Sequence, residues 1–354
     1  MQQCMRKYQN NFSMKFAQLM QKNLVLWKEI QKQEKRSLYG FKAITSYFLF
    51  SLLGFIPGKN EHNYHLELHI CFAIICFILA VIGNIHETNK RYQKEIKSSL
   101  FPELLTIFGE NIFYNKPSGI IGNHLVDSLI GRRDILNITK SFNSSSFQEH
   151  LLPNSLFENC GLYNREIEQR DDDDAFSGNF NGVKFTMVET DFGWKSRDKY
   201  RTYHSMFRGL AMKFSMNKFI ANKVFILTKH SFTKIPKNFE RVTLESAQFN
   251  KKYDIWVEKS TNTISGQIEA RYLLNTVFME RLMQIQTSFR INKMCCCVWG
   301  DEMLIMLSTN RDLFEMNHLF GQIDDIRQYK HLFEEFASVL SFIEVLKLDS
   351  KTKL

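Results

Sequence analysis

The sequence predicts an α+β protein: a two-span N-terminal transmembrane helical hairpin, then a domain with an antiparallel sheet and flanking helices. Three observations predict it. Two apolar runs without Asp, Glu, Lys or Arg lie near the start, at 43–58 and 68–86. Two turn dipeptides, Asn181-Gly182 and Gly300-Asp301, each separate a pair of β-rich segments. Helical spacing of apolar residues dominates 276–289 and 322–348. Strands joined by hairpins, with helices grouped after them, suit an antiparallel sheet better than alternating βαβ units.

The first forty residues (1–40) read as a basic amphipathic juxtamembrane helix. Phe12, Phe16, Leu19, Leu24, Trp27 and Ile30 recur at helical spacing among Lys and Gln, a pattern that suits contact with an inner leaflet or packing on the downstream domain. Two transmembrane helices are expected within 41–86, at about 41–58 and 67–86. Each is near the roughly 20 residues that a bilayer requires, and Ile70–Gly83 has no polar stripe. Pro57-Gly58 would stop the first. The loop 59–67 carries one Lys, whereas Lys90, Arg91, Lys94 and Lys97 come after the second span. By the positive-inside rule this places both termini in the cytoplasm of a multi-pass cell (inner) membrane protein. The lipid bilayer is then an expected partner.

Residues 87–152 read as a helical connector, with Pro102 as a kink or helix start. The region 153–348 is the cytoplasmic α+β domain. Phe176–Phe180 and Val183–Thr190 flank Asn181-Gly182, a type I′ hairpin signal. Tyr203–Ser215, Lys223–Thr228, Arg241–Leu244 and Tyr253–Val257 are further strands, with a short helix at 246–252. Lys293–Trp299 and Glu302–Ser308 form a second expected hairpin around Gly300-Asp301. Asn275 is the expected N-cap of a helix that places Val277, Phe278, Leu282, Ile285 and Phe289 on one side.

Composition narrows the function classes. With 44% hydrophobic and 23% charged residues over 354 positions, wholesale disorder and a small disulfide scaffold are excluded. The net charge of +9 is concentrated in residues 1–42, which hold nine Lys/Arg against Glu29 and Glu34. The rest of the chain shows no basic groove with interleaved aromatics, so no nucleic acid is expected as a partner. The phosphate-cradling GxxxxGK[ST] loop, GxGxxG, HExxH and GxSxG are all absent, and neither cofactor nor metal is expected.

Several clusters invite a chemical reading beside a plainer one. Cys295-Cys296-Cys297 would point to alternate faces of a strand and cannot converge on one ion, so a core strand is expected. His62, His65 and His69 with Glu67 sit where polar residues flank a span. Asp171–Asp174 lacks the spaced oxygens of a calcium loop and reads as a solvated charged loop. The weak catalytic candidates are Glu189, Asp191, His204 and Arg208, an acid/base set on neighbouring strands. A buried Arg208 would need a carboxylate, from Glu269 of QIEARYLL or Glu280 of FMERLM, unless these pair with Arg271 and Arg281.

The stretch from about 150 to 346 resembles a bacterial family, the domain of unknown function 3137 family. The resemblance rests on SLFENCGLYNR (155–165), GNFNGVKFTMVET (178–190), HSMFRGLAMKFSMNK (204–218), FERVTLESAQFNKKYDIWV (239–257), IEARYLLNTVFMERL (268–282) and a DLF segment (312–314). It implies membrane location and a shared domain after paired spans, and it carries over no reaction and no catalytic residue. The function expected is that of a membrane-anchored, cytoplasm-facing binding or scaffolding module for a protein or membrane-associated ligand, with a protein partner or homo-oligomer possible. The alternative is a membrane-tethered hydrolase acting on a lipid or envelope precursor.

Overall fold

Long runs of good helix formers carry the chain through α1 (Gln2–Gly54) and α2 (Tyr64–Leu105) without a break. These belong to a computed structural model that describes residues 2–54, 64–108, 111–115, 151–163, 165–197, 202–229, 235–259, 265–291, 293–316 and 319–348. The chain divides into two compact units, one of Gln2–Phe108 with Glu315–Phe333, the other of Gly109–Phe314 with Glu334–Leu354.

In the helical unit, the amphipathic face of α1 is covered by protein. Phe16, Leu19 and Trp27 are buried, and Trp27 Nε1 donates to Ser99 Oγ at 3.0 Å. The segment after residue 314 is tied to the same helices. Gln93 spans the Met316 backbone, donating to its carbonyl at 2.8 Å and accepting from its amide at 3.3 Å. Lys97, with its side chain 4% exposed, lies 2.8 Å from Glu315. The Phe16 and Tyr329 rings meet at 4.6 Å between centroids.

Among the described residues no helix is long and apolar enough to cross a membrane. This corrects the two-span transmembrane hairpin. With it go the lipid bilayer as a partner, the inner-membrane location with cytoplasmic termini, and the membrane-anchored function in both its forms. The physical reasons are local. Of the first apolar run the described helix includes Ala43–Gly54, which spans about 18 Å against a hydrocarbon core of about 30 Å. The second run belongs to a helix that continues without a break into charged residues. Cations that suggested a cytoplasmic flank have partners within the unit: Lys97 has Glu315, and Arg91 lies 3.9 Å from Glu34. The expected stop at Pro57-Gly58, His62 and the connector 116–150 lie outside the described residues.

The other unit is built on a seven-stranded, wholly antiparallel sheet ordered β1-β2-β3-β4-β6-β5, with β7 also paired to β4. Its strands are β1 (Ile112–Asn115), β2 (Gln169–Phe180), β3 (Val183–Lys195), β4 (Tyr203–Thr228), β5 (Phe239–Val242), β6 (Tyr253–Glu258) and β7 (Lys293–Ser308). Helices α3 (Asn154–Asn159), α4 (Ala247–Lys252), α5 (Ser265–Leu273), α6 (Thr276–Ser288) and α7 (Ile326–Leu348) complete it; the first turns of α7, to Phe333, count with the helical unit. The Asn181-Gly182 hairpin forms, with both residues at positive φ (54° and 88°) as a type I′ turn requires. Asn275 caps α6 by accepting from Phe278 N at 2.9 Å. Val277 is exposed, while Phe278, Leu282, Ile285 and Phe289 are buried.

The second expected hairpin is replaced by a bent ribbon. Residues 295–298 and 302–308 both pair with β4 rather than with each other, and the register shifts around Ile220 and Gly300. Gly300 has φ +57°, a conformation that bulges favour and that only glycine adopts freely. In a straight strand the ends of β7 would lie roughly 50 Å apart, yet Lys293 and Ser308 line one cavity. The β4–β7 ribbon is therefore folded back on itself. Its inner face, with Phe207, Ala211, Phe225, Cys295, Cys297 and Met306, encloses a core with Phe157 and Cys160. Cys296, also buried, is not part of that cluster, which matches the alternation expected of the cysteine triplet. Burial pushes all three thiols up, Cys296 beyond the range a thiolate could reach near neutral pH. Aromatic contacts seat the helices on the sheet. Phe342 meets Phe214 and Phe278 at 5.5 and 5.4 Å, and Phe336 meets Phe176 at 4.7 Å.

Candidate functional site

Four consecutive aspartates disfavour a strand, yet Asp171–Asp174 lies inside β2 and is not the solvated loop expected. Each carboxylate has its own surroundings. Asp172 is paired with Arg170, whose side chain is 2% exposed, at 2.7 Å. Arg170 also donates to Asn154 Oδ1 at 3.0 Å, so this ion pair ties β2 to the start of α3. Asp174 is buried and accepts from Tyr114 Oη on β1 at 2.8 Å.

The register explains Asp173. Asp172 pairs with Thr190 and Ala175 with Val188, so Asp173 and Asp174 together oppose the single residue Glu189. That is a β-bulge, which turns a side chain out of the regular alternation. Glu189 is 9% exposed. Its Oε1 accepts from Leu313 N at 2.9 Å, while Oε2 is buried with no hydrogen-bond partner among the described residues. Asp312 arrives from the turn after β7. Phe314 pins that turn at φ +56°, with its ring 5.0 Å from Phe176 and 5.4 Å from Phe336. Carboxylate oxygens of Asp173, Glu189 and Asp312 consequently lie within 4.8 Å of one another. Burial, and then the charges of Asp312, Asp174 and Asp173, push the Glu189 carboxyl up to about 9 against the pull of the Leu313 amide. Glu189 is held as the neutral acid at pH 7.

A second feature lies where the folded ribbon closes. An open cavity of about 230 Å³ is lined by Tyr163, Ser205, Arg208, Lys293, Ser308 and Asn310, over Met206, Cys295 and Met306. Arg208 and Lys293 are exposed. Neither cationic head has a hydrogen bond or ion pair among the described residues, so both point their donors at solvent within one concavity. The carboxylate expected for a buried Arg208 is not needed. Glu269 accepts instead from the Asn222 amide nitrogens at 3.0 and 2.8 Å, and Arg281 donates to Gln284.

Of the remaining candidates, Asp191 stands directly opposite Arg208 in the β3–β4 register, but its carboxylate is engaged by other side chains. Asp191 accepts from Tyr203 Oη at 2.7 Å and Ser205 Oγ at 3.0 Å. Burial and this carboxylate push the Tyr203 phenol up to about 12. His204 stacks on Trp194, with centroids 4.4 Å apart, and the Arg165 guanidinium lies 3.7 Å from the centre of the same Trp194 ring. Among the described residues no side-chain hydrogen bond or ion pair joins any two of Glu189, Asp191, His204 and Arg208. The structure instead places Glu189 with Asp173 and Asp312, and Arg208 with Lys293. Hairpin register is the signal in the sequence that brings the Asp run to Glu189; nothing local points to Asp312 or Lys293.

Residues 205–348 match the profile of the family described as Protein of unknown function (DUF3137). The DUF3137 match runs from β4 through α7 and takes in Arg208, Lys293 and Asp312; Asp173 and Glu189 lie upstream of it. It begins later than the resemblance read from about residue 150. No curated protein matches the chain. Among solved structures, the crystal structure of the mycobacterial trehalose monomycolate transport factor A, TtfA, covers 49% of this chain and 73% of its own, at 6% identity and a TM-score of 0.26. A likeness at that score carries no argument about fold or function.

Proposed function

We propose that the sheet unit is a binding module for a small anionic ligand bearing a phosphate or carboxylate group, held in the cavity of the folded β4–β7 ribbon. One observation carries the reading: two cations without partners among the described residues, Arg208 and Lys293, come from opposite ends of the β4–β7 ribbon to line one concavity with Ser308 and Asn310. A guanidinium offers a planar fork of donors that fits carboxylate or phosphate oxygens, and an ammonium adds a mobile point charge. The apolar floor of Met206, Cys295 and Met306 would exclude water behind the bound group and strengthen those contacts. Cys295 serves there as a buried apolar residue, because burial keeps its thiol protonated.

The test is calorimetric titration of the full chain with inorganic phosphate, pyrophosphate and citrate, with choline as a cationic control. Saturable binding of at least one anion is expected, weakened at least tenfold, or about 1.4 kcal/mol, by Arg208→Ala combined with Lys293→Ala. Both residues are exposed, so the fold should survive, which circular dichroism would verify. Absence of anion binding below about 10 mM, or equal affinity in the double variant, would overturn the reading.

A further inference from the structure

The anion cavity has two ends of different chemistry, and its inner end holds a donor that the protein itself engages only weakly. Arg208 and Lys293 are exposed at the mouth, whereas Phe207, Met294, Cys295 and Met306 behind them are buried. Tyr163 also lines the cavity, with its ring packed on the core inside the ribbon and edge-on to Phe192 at 5.4 Å between centroids. The segment that carries it leaves α3 through Gly161, at φ +83°, the left-handed conformation that commonly ends a helix. Among the described residues the only hydrogen bond of the Tyr163 hydroxyl is to Met306 Sδ, at 4.0 Å. A thioether is a weak acceptor, and a phenol turned inward ordinarily finds a better one. Burial, and then the neighbouring Cys295 and Cys160 thiols, push the phenol well above its ordinary range, so it stays protonated and offers an O–H rather than a negative charge.

The size and the charges of the cavity restrict what can reach this hydroxyl. Its volume of about 230 Å³ is below the roughly 300–1,000 Å³ of drug-sized sites but several times the roughly 30 Å³ of one water. A bare oxyanion held by the cations would therefore leave space in front of Tyr163 for a few more atoms. A guanidinium fork can engage two oxygens and the Lys293 ammonium a third, a set that a phosphate monoester supplies and a carboxylate does not. The remaining phosphate oxygen then carries the organic group, and the buried floor suits a short carbon chain. Where that chain meets the phenol it needs an oxygen of its own. A hydroxyl can accept from the Tyr163 O–H or donate to its oxygen, so it satisfies the phenol in either orientation. A purely hydrocarbon chain would leave the phenol with its thioether, and a second charged group would have to lose its water beside Met306 and Cys295.

We propose that the cavity takes a small hydroxylated phosphate monoester, of the size of a glycerol phosphate, with Tyr163 as the residue that reads its hydroxyl. This rests on the anion-binding reading above and adds the nature of the organic group. The test is calorimetric titration of the full chain, and of Tyr163→Phe, with glycerol 3-phosphate, propyl phosphate and inorganic phosphate. In the wild type glycerol 3-phosphate is expected to bind about fivefold tighter than propyl phosphate, the factor that one neutral hydrogen bond supplies. Tyr163→Phe should erase that preference and leave the affinities for propyl phosphate and inorganic phosphate within about twofold. The change removes one oxygen from a half-buried ring, and unchanged binding of propyl phosphate reports that the variant has folded; the wild-type comparison does not depend on it. Equal affinities for glycerol 3-phosphate and propyl phosphate in the wild type would overturn the proposal, as would a preference that survives Tyr163→Phe. Both results leave anion binding by Arg208 and Lys293 standing. That broader reading falls instead if none of the three phosphates binds, and this proposal falls with it.

Discussion

The neutral Glu189 carboxyl makes the stability of the sheet unit depend on pH with a definite sign. In the unfolded chain this group titrates near its ordinary value of 4.5, and in the fold it is pushed up to about 9. Between those values the folded state holds a proton that the unfolded state releases, so stability falls as pH rises. The slope from one such group is about 1.4 kcal/mol per pH unit, so the loss from pH 6 to pH 8 is about 3 kcal/mol. Glu189→Gln removes the titration. The amide keeps an oxygen for the Leu313 N–H and offers a donor toward Asp173 or Asp312. The variant should therefore be the more stable protein at pH 8, by about 3 kcal/mol more than any difference at pH 6. Urea unfolding in the presence of EDTA reads this directly. Trp194, Trp256 and Trp299 report on the sheet unit, and a Trp27→Phe background silences the helical unit. Histidines and other acids titrate alike in both proteins and cancel. Parallel stability profiles for the two proteins from pH 6 to 8, within about 0.5 kcal/mol, would refute the argument that Glu189 is buried as the acid.

Three other substitutions test the supports of the same region. Tyr114→Phe removes the phenol that donates to buried Asp174 and should cost about 1.5–3 kcal/mol, the range for hydrogen bonds to charged groups, read as a lowered urea midpoint. Arg170→Leu leaves Asp172 without its buried partner and should cost about 3–5 kcal/mol, while Asp171→Asn, at an exposed neighbouring position, should change the midpoint by less than about 0.5 kcal/mol. Gly209→Ala would set a Cβ 2.0 Å from the Leu307 carbonyl oxygen at a residue with φ +143°. Because β3, β4 and β7 meet there, a loss above about 3 kcal/mol is expected, seen as failure of cooperative unfolding at ordinary urea concentrations.

What the sequence disclosed was whatever is fixed within a few residues. Asn181-Gly182 sets its own turn because both residues tolerate positive φ, and Asn275 caps its helix because its side chain reaches an amide three residues on. The cysteine triplet was legible for a similar reason, since alternation alone separates Cys296 from its neighbours. Gly300-Asp301 carries equally good turn chemistry, yet its flanks pair with β4. A glycine at positive φ serves a bulge as readily as a hairpin, and only the distant partner strand decides between them. The apolar stripe of α1 met the same limit. Its spacing shows that Phe16, Leu19 and Trp27 share a face, and the face is buried within the helical unit. Periodicity records that a face is covered, not what covers it.

The carboxylate cluster falls between these cases, and part of it can be worked out by arithmetic. Across a two-residue turn the paired positions have a constant sum, as Phe180 with Val183 and Ala175 with Val188 show. Continuing that register sets Asp174 opposite Glu189, and like charges directly opposite are destabilising. A sequence that sets Asp174 opposite Glu189 and Asp172 opposite Asp191 in a well-specified hairpin must either break the register or supply a compensating group. β2 does the first, with the bulge at Asp173 and Asp174, and does part of the second, with Arg170 on Asp172 and Tyr114 on Asp174. Glu189 is left with the Leu313 amide on one oxygen and no partner among the described residues on the other. The conflict between a strong turn and a repulsive ladder is thus itself legible in the sequence. Local preference and tertiary packing disagree at this position, as they do at functional or strained sites.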